Sequence, residues 1–270
     1  MSVFIGRNRE ARRGYGFDEV ALVPSDLTVD IDDVDVSTRI GDIILKLPFL
    51  ASAMDGVVDV KFACEFGKLG GIAVLNLDGV QVRYKEPGEI IEKIRSACAQ
   101  RDENTTRIIQ EVYRESVKEE LISERVSEIK KSGATCCVST IPKNADRYLK
   151  ISQDAGCDVF FVQSTVTTRR FFSTRQENVD LSKICKDSKI PVVIGNTVTY
   201  SAAIELMESG ASAILVGIGP GAACTTRGVL GIGVPQVTAI VDCAEARDFY
   251  FKKTGRYVSV IADGGMVTSG

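Results

Sequence analysis

Apolar residues along this chain come in short, dense runs. Seven stand out: 48–54 (PFLASAM), 71–76 (GIAVLN), 135–140 (TCCVST), 158–163 (DVFFVQ), 191–196 (PVVIGN), 212–217 (SAILVG) and 257–263 (YVSVIAD). Most are nearly continuous in Val, Ile, Leu, Phe and Ala instead of alternating with polar residues. That is the pattern of strands buried on both faces in a parallel sheet. Helical periodicity fills the intervals. In 200–210, Ala203, Leu206 and Met207 share one face and Gly210 is placed to cap the helix end. A second helix is predicted from near Pro235 to Gly255, with Val237, Ile240, Val241 and Ala244 as its apolar face. Strand–helix alternation of this kind predicts an α/β fold.

Functional-looking residues follow nearly every strand, which favours a TIM-type (β/α)8 barrel over an open doubly wound sheet. Only seven strands are predicted, and "ADGGMVTSG" follows the last of them. The expectation is therefore a barrel sequence truncated after its seventh strand, which in isolation would leave strand edges exposed. The whole of 1–270 reads as one catalytic domain. Residues 77–133 are too long for a minimal crossover, and they are charged and helix-prone. Ile108, Val112, Val117, Leu121, Val126 and Ile129 recur there at helical spacing, so a helical insertion packed on the barrel is expected.

Composition narrows the chemistry. A net charge of −3 and a pI near 5.3 argue against a nucleic-acid or anionic-membrane partner. No run approaches the length of a membrane span, and "MSVFIGRNREARRGYGF" lacks the apolar core of a secretory signal. The eight cysteines form no CxxC pair and there is no histidine, so zinc sites, redox dithiols and histidine-based triads are not supported. A reducing, cytoplasmic setting is expected, with seven of the cysteines serving as buried structural residues.

The eighth, Cys224, sits in "GIGPGAACTTRG" (217–228). This is not a dinucleotide fingerprint, because Ala222 stands where GxGxxG needs glycine, and it is not a P-loop, because no Lys-Ser/Thr follows. The glycines let the backbone approach something closely. A thiol there, after the sixth strand, is a competent nucleophile if backbone N–H groups or Arg227 lower its pKa.

The stretch 217–236 resembles the catalytic loop of the inosine-5′-monophosphate (IMP) dehydrogenase / guanosine-5′-monophosphate (GMP) reductase family. Five more stretches resemble the same family in the same order: GFDEVALVPS (16–25), ASAMDGVVD (51–59), LGGIAVLN (69–76), VIGNTVT (193–199) and VIADGG (260–265). The resemblance is greatest to the IMP dehydrogenase-related subgroup that lacks CBS domains, with 77–133 standing where those domains are inserted. It implies that Cys224 attacks C2 of a purine nucleotide and that Thr226 helps handle water or ammonia. Asp263 would hold the ribose, Gly264 and Gly265 the phosphate, and Ser52, Met54, Asn196 and Gly221 would complete the nucleotide site. Gln163, Ser164 and Gly217 would meet the dinucleotide, and carbonyls of Gly219, Gly221 and Cys224 would bind K+.

Three activities stay open at this point. One is NAD+-dependent oxidation of IMP to XMP. The second is NADPH-dependent reduction of GMP to IMP and ammonia. The third is purine-nucleotide binding without turnover. Two departures from the family bear on the choice. Ala222 replaces a phosphate-binding Ser, a loss of about 1–3 kcal/mol, and the fourth strand runs into Gln163-Ser164 in place of an Asp-containing motif. The resemblance also places the second phosphate loop, the mobile flap and the reductase glutamate beyond Gly270, so a molecule ending there is expected to be inactive. It further implies a homotetramer, which can pair into an octamer.

Overall fold

The computed structural model describes residues 3–172, 174 and 178–270. Two antiparallel hairpins open the chain, β1 (Val3–Gly6) with β2 (Arg9–Ala11), and β3 (Thr38–Ile40) with β4 (Ile43–Leu45). Seven parallel strands follow: β5 (Leu50–Ala51), β6 (Ile72–Asn76), β7 (Cys137–Thr140), β8 (Val159–Gln163), β9 (Val192–Thr197), β10 (Ala213–Val216) and β11 (Ser259–Ala262). They pair strictly in chain order. All seven coincide with the apolar runs of the sequence.

The sheet is curled. Laid flat, its two outer strands would stand about 29 Å apart at the usual strand spacing. Yet Ser52 Oγ, just past β5, lies 3.4 Å from Asp263 Oδ1, just past β11. The two faces explain why the strands do not alternate in polarity. Val159 and Phe161 of β8 point inward to a cluster with Ile72, Val74, Cys137, Val193 and Leu215, closed below by Ile40 and Leu45 of the β3–β4 hairpin. Phe160 and Val162 of the same strand point outward to the helices. Both parities are buried, so both are apolar. The result is the TIM-barrel-like α/β architecture that the sequence predicts.

The first run is the exception in extent, because β5 keeps only two of its seven predicted residues. Beyond Ala51 the backbone turns out of the sheet: Met54 N donates to Ser52 O at 2.8 Å, and Val57 and Val58 N donate to Met54 O. Those residues serve the site instead of the ladder.

The helices that cover the sheet are α1 (Val60–Lys68), α2 (Pro87–Ala99), α3 (Thr105–Arg114), α4 (Glu119–Lys131), α5 (Pro142–Asp154), α6 (Leu181–Asp187), α7 (Tyr200–Glu208), α8 (Thr226–Leu230) and α9 (Gln236–Thr254). In 77–133, α4 packs between α1 and α5 like an ordinary crossover helix, and α2 and α3 pack on each other outside it. In α7 the predicted face is the buried one, and Gly210 follows the helix at φ +101°.

For α9 the predicted face is only partly right, since Ile240 packs against the core but the buried seam is shifted. Val241 is 58% exposed, and the buried seam is Gln236, Ala239, Cys243, Ala246 and Tyr250. The helix packs closely on α7, and a close crossing selects small side chains over β-branched ones. All eight cysteines are free thiols. Seven were expected to be buried: Cys136, Cys137, Cys157 and Cys243 are, Cys64 and Cys185 are half-buried, and Cys98 on α2 is exposed. No helix among the described residues is long and apolar enough to cross a membrane.

Candidate functional site

A cavity of about 500 Å³ opens at the carboxyl ends of the strands, where a parallel barrel presents its loops. Its wall takes one element from each strand in turn: Met54, Asn76, Thr140, Gln163, Asn196, Gly217 and Asp263. The loop after β10 forms the remaining side with Gly219, Gly221, Cys224 and Thr226. Eleven of the thirteen site residues named from the sequence therefore line one cavity. Ser52 and Gly265 stand just outside it. Ser52 reaches in through Asp263, and Gly265 lies against Pro220 and Gln236.

Asp263 is the centre of a polar network. Its Oδ2 accepts from Asn196 Nδ2 at 2.7 Å and from Gln163 Nε2 at 3.2 Å. Asn196 Nδ2 also donates to the Gly217 carbonyl at 2.8 Å, and Gln163 Nε2 donates to Asn196 Oδ1 at 3.1 Å. Asn196 is buried. Its amide thus joins the ends of β8, β9, β10 and β11 into one rigid floor. A Cβ on Gly217 would fall 2.2 Å from the Asp263 carbonyl oxygen, so only glycine lets these two backbones meet.

Cys224 is exposed at the cavity mouth. Its Sγ lies 3.3 Å from Thr226 Oγ1. The thiol is held below its ordinary value, first by the Thr226 hydroxyl, then by the Thr226 N–H. Burial opposes them, and lesser help comes from the Gly219 N–H and the Arg227 charge. A hydroxyl and N–H groups that can donate to sulfur stabilise the thiolate, the nucleophilic form. Arg227 also braces the loop. Its stem packs so tightly against Gly219 (φ +79°) that a Cβ there would lie 2.6 Å from Arg227 Cγ, and its Nη2 donates to the Val234 carbonyl at 2.6 Å.

Several thiols elsewhere are shifted the opposite way. Burial pushes Cys185 up to about 11 and Cys243 up to about 12. Cys136 is raised by its contact with Cys157 and by burial.

Sequence reasoning missed two anchors. Gln236, 2% exposed, donates from Nε2 to the Val216 carbonyl at 2.7 Å and to the Asp263 carbonyl at 3.3 Å. It ties β10 to β11 beneath the cysteine loop. A glutamine in register with Ala239 and Cys243 was the available signal. Asp78 accepts from Thr140 Oγ1 and Ile141 N, both at 2.8 Å, and from Asn144 Nδ2 at 2.6 Å. It fixes the turn after β7 at the cavity wall. Its signal was an acid two residues past a strand end.

Arg169 and Arg170, in the loop after β8, pair with Glu208 and Glu205 of α7 at 3.6 and 3.3 Å.

The fold and the site together define a TIM-barrel-like α/β protein with an exposed thiol on the loop after its sixth parallel strand, facing a carboxylate-centred polar floor. The family follows from comparison: the model of the IMP dehydrogenase / GMP reductase domain matches residues 14–270, and the chain belongs to that family of oxidoreductases. Uncharacterized oxidoreductases of Mycobacterium bovis and Mycobacterium tuberculosis are 35% identical over 272 residues, covering 99% of this chain and 72% of theirs. The inosine-5′-monophosphate dehydrogenase of Cryptosporidium parvum is 30% identical over 272 residues, covering 96% of this chain and 63% of its own. The crystal structure of an IMP dehydrogenase/GMP reductase-like protein from Corynebacterium glutamicum matches with a TM-score of 0.90 at 34% identity, over 98% of this chain and 70% of that one.

Proposed function

We propose that this site oxidises IMP to XMP with NAD+ through a covalent bond from Cys224 to the purine. The observation that carries the reading is the lowered Cys224 thiol beside Thr226, across the cavity from the Asp263 network. The thiolate adds to C2 and makes the C–S bond. NAD+, when bound, supplies the acceptor for the hydride that leaves C2. Water then adds at C2, expelling the Cys224 thiolate and forming XMP, with Thr226 placed to hold that water. Asp263, fixed by Asn196 and Gln163, accepts from the ribose hydroxyls, for which a carboxylate is the natural acceptor. Gly264 and Gly265 present backbone N–H groups to the phosphate. Met54, half exposed at the rim, packs on the base, and Ser52 and Gly221 complete the pocket.

The residues present fit both auxiliary groups. Ser164, Thr165 and Thr140 form a polar wall beside Gly217 on the Gln163 side of the cavity, suited to the ribose and amide of a dinucleotide. Gly219, Gly221 and Cys224 offer neutral backbone carbonyls, a donor set that suits K+ and carries no charge to select a divalent ion.

The GMP reductase reading is favoured by the "CTTR" stretch, whose Thr226 reaches the thiol. Full-length protein with IMP and NAD+, then GMP and NADPH, read at 340 nm, separates the two. A rise in the first supports the dehydrogenase, a fall in the second the reductase. Silence in both supports a nucleotide-binding role. Assembly as a homotetramer, or an octamer from two, is proposed from family membership and from the exposed N-terminal arm, where Leu22 and Ile31 are 98% and 90% exposed. Light scattering of the eluting protein tests it.

A further inference from the structure

The α2–α3 pair lies outside the ring of helices, yet its last turn reaches the nucleotide rim. The Tyr113 hydroxyl of α3 donates to Asp55 Oδ2, in the turn that carries Met54. The same oxygen accepts from Val80 N at 3.0 Å. Asp55 Oδ1 is buried with no hydrogen-bond partner. It is pressed against Gly79, where a Cβ would lie 1.9 Å away. A half-desolvated carboxylate with so few partners stays in place only while those partners hold. Arg83 completes the attachment. Its guanidinium stacks 5.7 Å from the Tyr113 ring centre, donates to the Asp78 carbonyl at 2.9 Å and reaches the Glu115 carbonyl at the end of α3. Two walls of the cavity, the turns after β5 and β6, are thus tied to one helix end.

We infer that Tyr113 is a positioning residue for the nucleotide: its hydroxyl holds Asp55, and through it the turn that sets Met54 at the cavity rim. The inference rests on the purine-nucleotide reading of the site. It gives the α2–α3 pair a function, as a brace on the base-binding side.

Tyr113→Phe keeps the ring over Arg83 and removes only the hydroxyl. In the full-length protein, without ligand, the amides of residues 53–58 should exchange with solvent roughly tenfold faster, the loss expected for a hydrogen bond to a charged group. KM for IMP should rise about three- to tenfold, with kcat within twofold. Gly79→Ala, which displaces the Asp55 carboxylate, should act in the same direction. Glu111→Gln, which breaks an exposed pair with Arg107 on the same helix, should change neither quantity. Unchanged exchange in Tyr113→Phe overturns the brace whether or not the protein turns over IMP. Faster exchange with unchanged KM overturns the positioning role. If the wild type turns over neither nucleotide, that outcome counts against the dehydrogenase reading, and the calorimetric Kd for IMP replaces KM as the readout for Tyr113.

Discussion

Replacing Asn196 with Ala isolates the polar floor. Asn196 is 6% exposed and its side chain makes three hydrogen bonds, to Asp263 Oδ2 at 2.7 Å, to the Gly217 carbonyl at 2.8 Å and from Gln163 Nε2 at 3.1 Å. A neutral bond nets about 1 kcal/mol and one to a charged group about 1.5–3 kcal/mol. The gross loss is therefore about 4 kcal/mol, and water from the adjoining cavity restores part of it. The expected fall in unfolding free energy is about 2–4 kcal/mol, read as a lower urea midpoint at unchanged slope. The melting temperature should drop by about 5–12 °C. Gln163→Ala should cost less, because its amide makes weaker contacts at 3.1 and 3.2 Å from a half-buried side chain. A variant within about 0.5 kcal/mol of wild type, or a Gln163 variant that costs more, would refute the argument that the Asn196 amide joins the four strand ends.

Alkylation by iodoacetamide should label Cys224 first, and its pH profile should have a midpoint below that of an ordinary thiol. A lowered pKa leaves more thiolate at any given pH, so the rate saturates earlier as pH rises. Peptide mapping reads it; Cys185 and Cys243, raised to about 11 and about 12, should stay unlabelled until the protein unfolds. Thr226→Val should move the Cys224 midpoint upward, since the hydroxyl is the leading cause of its depression; an unmoved midpoint would show that the hydroxyl does not reach the sulfur. Gly217→Ala should lower both stability and nucleotide affinity, because its Cβ would collide with the Asp263 carbonyl; calorimetric binding that matches wild type would contradict this.

The strands and the site loop were legible from the chain for one physical reason. A parallel strand buried on both faces must be apolar throughout, and its carboxyl end is where polarity returns. Asn196, Gln163 and Asp263 stand at those ends, so the same pattern that marks the strands marks the floor of the site. What could not be read depends on contacts distant in sequence. The buried face of α9 is set by its distance from α7, which favours Ala239 and Ala246 over the more apolar Val241. The end of β5 is set by the Met54 turn and by Asp55, whose partners lie on α3 and after β6. Gln236 reads as an ordinary polar residue at a helix start until the fold brings Val216 and Asp263 to its amide.

Everything proposed for the site turns on a covalent bond between Cys224 and the purine. Its most direct test is mass spectrometry of full-length protein quenched in acid during incubation with IMP and NAD+. One purine-nucleotide adduct is expected, mapping to the peptide that contains Cys224 and absent from Cys224→Ala, which still binds IMP. Undiminished turnover by Cys224→Ala, with no adduct on the wild type, would contradict it.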